Sequence, residues 1–141
     1  MSEPLLNARF RVEIQGLQST SVVEVILPEG RIAARGKTRA VQYGTLTLRR
    51  GMTGSSDWYR WWDGARRSAA RARKRVDVVL MDRFESDVNR WTFSGVLPTA
   101  YAVSPLNALH GELLIETLEL TVGGFSLTFS APGAPSKREA S

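Results

Sequence analysis

The 141 residues include no cysteine and a single histidine. Without cysteine there is no disulfide, no thiolate nucleophile and no thiolate-based metal site. With His110 alone, neither a histidine-rich metal site nor an imidazole acid–base pair can be built. Its neighbours, ALHGEL, offer no ligand spacing, so His110 reads as structural or solvent-facing. Long apolar runs are also missing; none approaches the roughly 20 residues needed to cross a bilayer. The opening MSEPLLNARF lacks a basic start followed by an apolar stretch, so no secretory signal and no membrane anchor are expected.

Motifs of chemistry are as scarce. RRGMTGSS looks faintly like a phosphate loop, yet it has neither the GxxxxGK[ST] spacing nor the lysine. There is no GxSxG, no HExxH and no dinucleotide fingerprint. A strand over 112–119 would put Glu112 and Glu116 on the face opposite Glu119, whereas paired-carboxylate chemistry needs two acids converging across a cleft. The expectation is therefore of no enzyme, with no catalytic, cofactor-binding or metal-ligating residues.

The chain does have aromatic area and positive charge, both concentrated. Three tryptophans and a tyrosine fall within Trp58–Trp62, and six Arg/Lys with no acid fall within Arg66–Arg75. The net charge is +5, and without that basic run the remainder is close to neutral. Such a run binds phosphates non-specifically or simply forms a solvated helix end.

Length and composition fit one domain over residues 1–130, and the Pro/Gly/Ser-rich APGAPSKREAS reads as a disordered tail over 131–141. Phe10, Val12 and Ile14 alternate with Arg9, Arg11 and Glu13, the period of a half-buried strand. TSVVEVIL (20–27) is a second β-branched run. PEGRIAARGKTR, with Pro28, Gly30 and Gly36, reads as an exposed, mobile loop. YGTLTLRRG resumes alternation and closes at Gly51. RVDVVLMD and NRWTFSGVL make a hairpin across RFESDV, with Trp91, Phe93 and Gly95 on one face.

GELLIETLELTV is ambiguous. Leu and Glu favour helix, but Leu118, Leu120 and Val122 alternate with Thr117, Glu119 and Thr121, so a strand is expected. Leu113 and Ile115 lie in the opposite phase, which implies a bulge or a strand covered on both faces. One helix begins after Ser55 or Ser56, with Asp57 in its positive first turn. Trp58 and Trp62, four apart, lie on one helical face with Trp61 beside them, and dock the helix. ARRSAARARK continues or restarts it. Six or seven strands, one helix and no βαβ rhythm predict a mainly-β fold, a closed or nearly closed antiparallel β-barrel with a flanking α-helix.

Five segments in register, from Phe10 to Phe125, resemble the tail tube protein family of contractile phage tails and phage-tail-like contractile injection systems. They are FRVEIQGL with VVEV, then YGTLTLRRG, DWYRWWD, RVDVVLMD with RWTFSGVLPTAY (a strand pair ending in a turn at the proline), and LNALHGELLIETLELTVGGF. The stretch between VVEV and YGTLTL is shorter than in typical members, whose longer loop aids ring-to-ring contact.

The resemblance implies a structural subunit forming hexameric rings that stack into a hollow tube inside a sheath. Its partners would be its own copies, the sheath and baseplate proteins of the same particle, and protein or DNA cargo in the lumen. Assembly would occur in the producing cell's cytoplasm, and the final location would be a phage tail or injection particle. The packing and assembly candidates are Tyr43, Leu48, Arg49, Arg50, Trp58, Trp62, Trp91, Leu118 and Glu119. The alternatives are a tube initiator at the baseplate–tube junction, a ring of the related type VI secretion tube acting as a secreted effector or chaperone, and a single-stranded nucleic-acid-binding barrel.

Overall fold

The computed structural model describes residues 9–18, 21–109 and 111–129. In chain order these form β1 (Phe10–Ile14), β2 (Val22–Ile26), β3 (Gly30–Arg35), β4 (Thr38–Tyr43), β5 (Leu46–Gly51), α1 (Asp57–Arg67), α2 (Ala69–Ala72), β6 (Lys74–Met81), β7 (Asp87–Val103), β8 (Ile115–Thr121) and β9 (Gly124–Phe129). The fold is mainly β and antiparallel, as expected from the alternation. His110 and residues 130–141 lie outside the described residues.

The main sheet runs β1-β6-β7-β8-β5-β2, with β9 added along β7. The 17-residue β7 serves two halves. Its first part, Asn89–Ser94, lies between β6 and β9, and its second, Leu97–Val103, pairs with β8. The change of partner occurs at a bulge. Gly95 has φ +58° there, and a Cβ on it would sit 3.7 Å from the Gly123 backbone. Across the bulge, Phe93 and Val96 both turn inward although three residues apart, which a regular strand forbids. The phase switch expected near residue 115 thus belongs to β7. Glu112 and Leu113 are in an exposed loop, and β8 starts only at Ile115. Pro98, expected in a turn, sits within β7 opposite Leu120.

The two halves of the sheet and the helices enclose one core. Val12, Leu46, Leu48, Val76, Val78, Phe93, Val96, Leu118 and Leu120 from the strands meet Trp58, Trp61, Ala65 and Ala72 from the helices. Each large apolar side chain withdrawn from water contributes about 1.5–3 kcal/mol.

Residues 28–39, expected to be a mobile loop, hold most of a hairpin. β3 pairs with β4 in register from Gly30↔Tyr43 to Arg35↔Thr38. Gly36 opens the two-residue turn at φ +58°, the backbone that such short hairpin loops demand. RGKT carried that signal. This pair forms a sheet of its own, and both its faces are largely exposed.

Candidate assembly site

Strand register explains how a charged cluster enters the core. On β5, Leu46, Leu48 and Arg50 share the inward face; on β8, Leu120, Leu118 and Glu116 do. Antiparallel pairing sets Leu46 against Leu120, Leu48 against Leu118, and so Arg50 against Glu116. Arg50 is 0% exposed and Glu116 1%. Burial of an unpaired charge costs several kcal/mol, so each must be matched.

The matching is extensive. Arg50 Nε donates to Glu116 Oε1 at 2.8 Å and Arg50 Nη2 to Asp57 Oδ1 at 2.5 Å. The guanidinium carbon lies 4.2 Å from the centre of the Trp58 ring, a cation–π contact. Tyr101 Oη donates to Glu116 Oε2 at 2.5 Å, and the Trp58 backbone N–H donates to Asp57 Oδ1 at 2.8 Å. One buried arginine therefore fastens β5, β8, β7 and the start of α1 together. Burial pushes the Asp57 carboxyl up, but hydrogen bonding to Arg50 outweighs it and holds it below the usual 3.8. Burial and the bond to Glu116 push the Tyr101 phenol up to about 12. Ser56 stands at the N-cap of α1, as expected, but its side chain makes no capping hydrogen bond; Ser55 Oγ accepts the Asp57 N–H at a long 3.4 Å.

The tryptophans divide differently from the expected i, i+4 face. Trp58 (1% exposed) and Trp61 (4%) are buried, whereas Trp62 is half-buried. Trp61 Nε1 donates to the Ala72 carbonyl at 2.6 Å and ties α2 to α1. Trp62 lies instead in an aromatic group with Tyr59 and Tyr101, ring centres 6.1 and 6.4 Å away. The helix ends at Arg67, since Ser68 is extended, and it restarts as α2.

The remaining candidates scatter. Leu48 and Leu118 form one buried cross-strand pair. Tyr43, at the root of the β3–β4 arm, meets Phe125 edge-on at 5.4 Å. Trp91 is half-buried between Val78 on β6 and Leu127 on β9. Arg49 pairs with Glu24 at 2.9 Å on the outer surface, and Glu119 is exposed there too. Glu116, Tyr101 and Trp61 were missed as site residues. For Glu116 the signal is an opposite-signed pair with Arg50, in phase with two leucine faces and at equal distance from the paired leucines; for Trp61 it is the three-residue helical spacing from Trp58.

A second ionic group lies on the outer face of β1, β6 and β7. Arg11 forks onto Asp87 at 2.6 and 2.7 Å, and Arg90 pairs with Asp77 and with Glu13. Beneath this layer Val79 is fully buried. Burial pushes the Glu13 carboxyl up, and its bonds to Arg11 and Arg90 bring it below 4.5. Among the described residues no three His, Cys, Asp or Glu side chains gather as metal ligands, and no helix is long and apolar enough to cross a membrane.

The outward features are those of a structural subunit. Among the described residues β1, β2 and β9 each have one strand partner, and the β3–β4 arm exposes Ile32 and Val41, directly opposite one another, at 59% and 55%. A β-rich scaffold with open edges, an apolar arm and a buried ion cluster is the class that this geometry defines. The chain belongs to the family of the T4-like virus tail tube protein gp19, whose model matches residues 6–126. No curated protein sequence is significantly similar to it.

Solved structures share the fold. A chain in the baseplate of the anti-feeding prophage (AFP) is 22% identical, with a TM-score of 0.66, over 92% of this chain and 98% of that one. A chain in the sheath–tube complex of PVC, an extracellular contractile injection system, is 14% identical, with a TM-score of 0.65, over 90% and 93%. Hcp1 from Flavobacterium johnsoniae is 14% identical, with a TM-score of 0.65, over 86% and 95%.

Proposed function

We propose that this tail tube family protein forms the inner tube of a contractile tail or injection particle, as hexameric rings stacked into a hollow conduit for DNA or protein. The observation that carries the reading is the β3–β4 arm. A two-stranded hairpin is marginal in water by itself, and this one spends Ile32 and Val41 on solvent. Contact with a second copy would cover them. The open edges of β1, β2 and β9 supply further surface, since unpaired strand edges favour association. Different patches meeting head to tail close into rings, and repetition around a ring adds avidity to modest contacts. Assembly in the cytoplasm of the producing cell, with sheath and baseplate proteins as partners, follows from the same reading.

A second reading, a subunit at the baseplate–tube junction, is favoured by the shortness of the arm, which spans only Gly30–Tyr43. Single-stranded nucleic-acid binding is disfavoured. It stacks bases on aromatic platforms within a basic groove, whereas Trp58 and Trp61 beside the basic run are in the core, Tyr59 packs edge-on against Tyr101, and the exposed Phe84 and Phe129 lie outside that run. Sedimentation across a concentration series tests the tube reading. Ring-sized species in the native protein, lost in the Ile32→Asp, Val41→Asp variant while the monomer keeps its melting temperature, are expected. Identical sedimentation of the two would remove the arm from assembly.

A further inference from the structure

The basic run is left without a role by the subunit contacts. Seven of the 19 Lys and Arg, but only two of the 14 Asp and Glu, fall between Arg60 and Asp77. That segment therefore carries the whole net charge of +5, and the rest of the chain is neutral. The fold gathers it into one rim. Trp61 holds α2 against α1, and Arg73 Nη1 reaches the Gly95 carbonyl at 3.3 Å where β6 begins. Asp63 serves two guanidiniums at once, Arg66 at 2.7 Å and Arg67 at 2.5 Å. Arg75 lies 3.7 Å from Asp77, and no carboxylate pairs with Arg71, Arg73 or Lys74 among the described residues.

We infer that this rim docks an acidic surface of a different protein. It deepens the tube reading and rests on it for one element, the repeated presentation of the rim along an assembly. Copies of this chain are poor occupants. The five described exposed carboxylates, Glu24, Glu29, Glu85, Glu112 and Glu119, are dispersed over separate segments, and the first three already lie beside Arg49, Arg31 and Arg9, so they form no patch on a copy to match the clustered cations. A guanidinium fork fits a carboxylate or a phosphate, so the surroundings decide between them. Between the arginines lie the exposed Gly64, Ala69 and Ala70, a floor of small groups that a protein face can approach closely. Trp58 and Trp61 are buried and cannot stack a base, and the more open Tyr59 and Trp62 pack on each other and on Tyr101. Repeated along a tube, each weak acidic contact adds to the next.

The test uses the full chain, a labelled peptide of about twelve glutamates and a DNA duplex of about 24 base pairs, each titrated at about 0.15 M salt. Replacing Arg67→Gln, Arg71→Gln and Arg73→Gln should weaken peptide binding roughly tenfold or more. Arg35→Gln, Lys37→Gln and Arg39→Gln on the arm remove equal charge and should change it little. Melting temperatures show that both variants fold. Equal losses in the two variants, or duplex bound more tightly than peptide through the rim, would overturn the inference. So would loss of ring formation in the rim variant, which would make the rim a contact between copies. If the native protein forms no rings while rim-dependent peptide binding persists, the tube reading fails and the rim stands.

Discussion

Arg50 is the residue on which the interior turns. Removing one member of a buried ion pair leaves the other uncompensated, at a cost of about 3–5 kcal/mol. Glu116→Ala should therefore lower stability by that amount in denaturant titration, far more than Arg49→Ala on the same strand, where the ion pair is exposed. Trp58→Ala and Trp61→Ala should each cost about 3–5 kcal/mol, the range for a truncated buried aromatic. Trp62→Ala, half-buried, should cost clearly less. Equal losses at all three would contradict the observed packing.

The pH dependence has two signs. Tyr101 prefers its proton in the folded state, so its contribution is complete below pH 10 and fades as pH rises toward about 12. Tyr101→Phe should remove that alkaline component from the stability profile. Asp57 and Glu13 prefer to be ionised, so their contributions are present above 3.8 and 4.5 and fade as pH falls below them. An unchanged alkaline profile in Tyr101→Phe would separate the phenol from the cluster. The buried partners were legible only in part. Arg50 stood out as a candidate, but Glu116 became its partner only once the leucine register was known, and register is a long-range property.

At the scale of elements, β7 shows what local pattern leaves open. Its alternation is readable on each side of Gly95, but the bulge between them is not; the phase break at residues 113–115 arises instead because Leu113 is in a loop and Ile115, the first residue of β8, is only half-buried. Gly95→Ala forces a side chain into left-handed backbone, at about 1–2 kcal/mol, while its Cβ would make only ordinary contact with Gly123 at 3.7 Å. A reduced melting temperature without loss of strand content by circular dichroism is the expected outcome. The arm was misread because Pro28, Gly30 and Gly36 together resemble a loop. Only Gly36 interrupts the ladder, as its turn. In α1 the expected four-residue spacing selected Trp62, whereas three-residue spacing places Trp61 with Trp58 against the sheet. Both spacings share a helical face, and the docking angle chooses between them.

The molecule as a whole is a β-rich body with open strand edges among the described residues and an exposed apolar pair on its arm, and the sequence resemblance to tail tube proteins is matched by the family assignment and the shared fold. What single-chain periodicity could not reveal is which surfaces meet, because a contact between copies leaves no intrachain register. The most direct test is electron microscopy of the purified native protein over a range of concentrations. Annular particles with six-fold symmetry, or hollow filaments built from them, are the predicted result. A lone compact particle at every concentration, with or without a baseplate complex to nucleate growth, would contradict it.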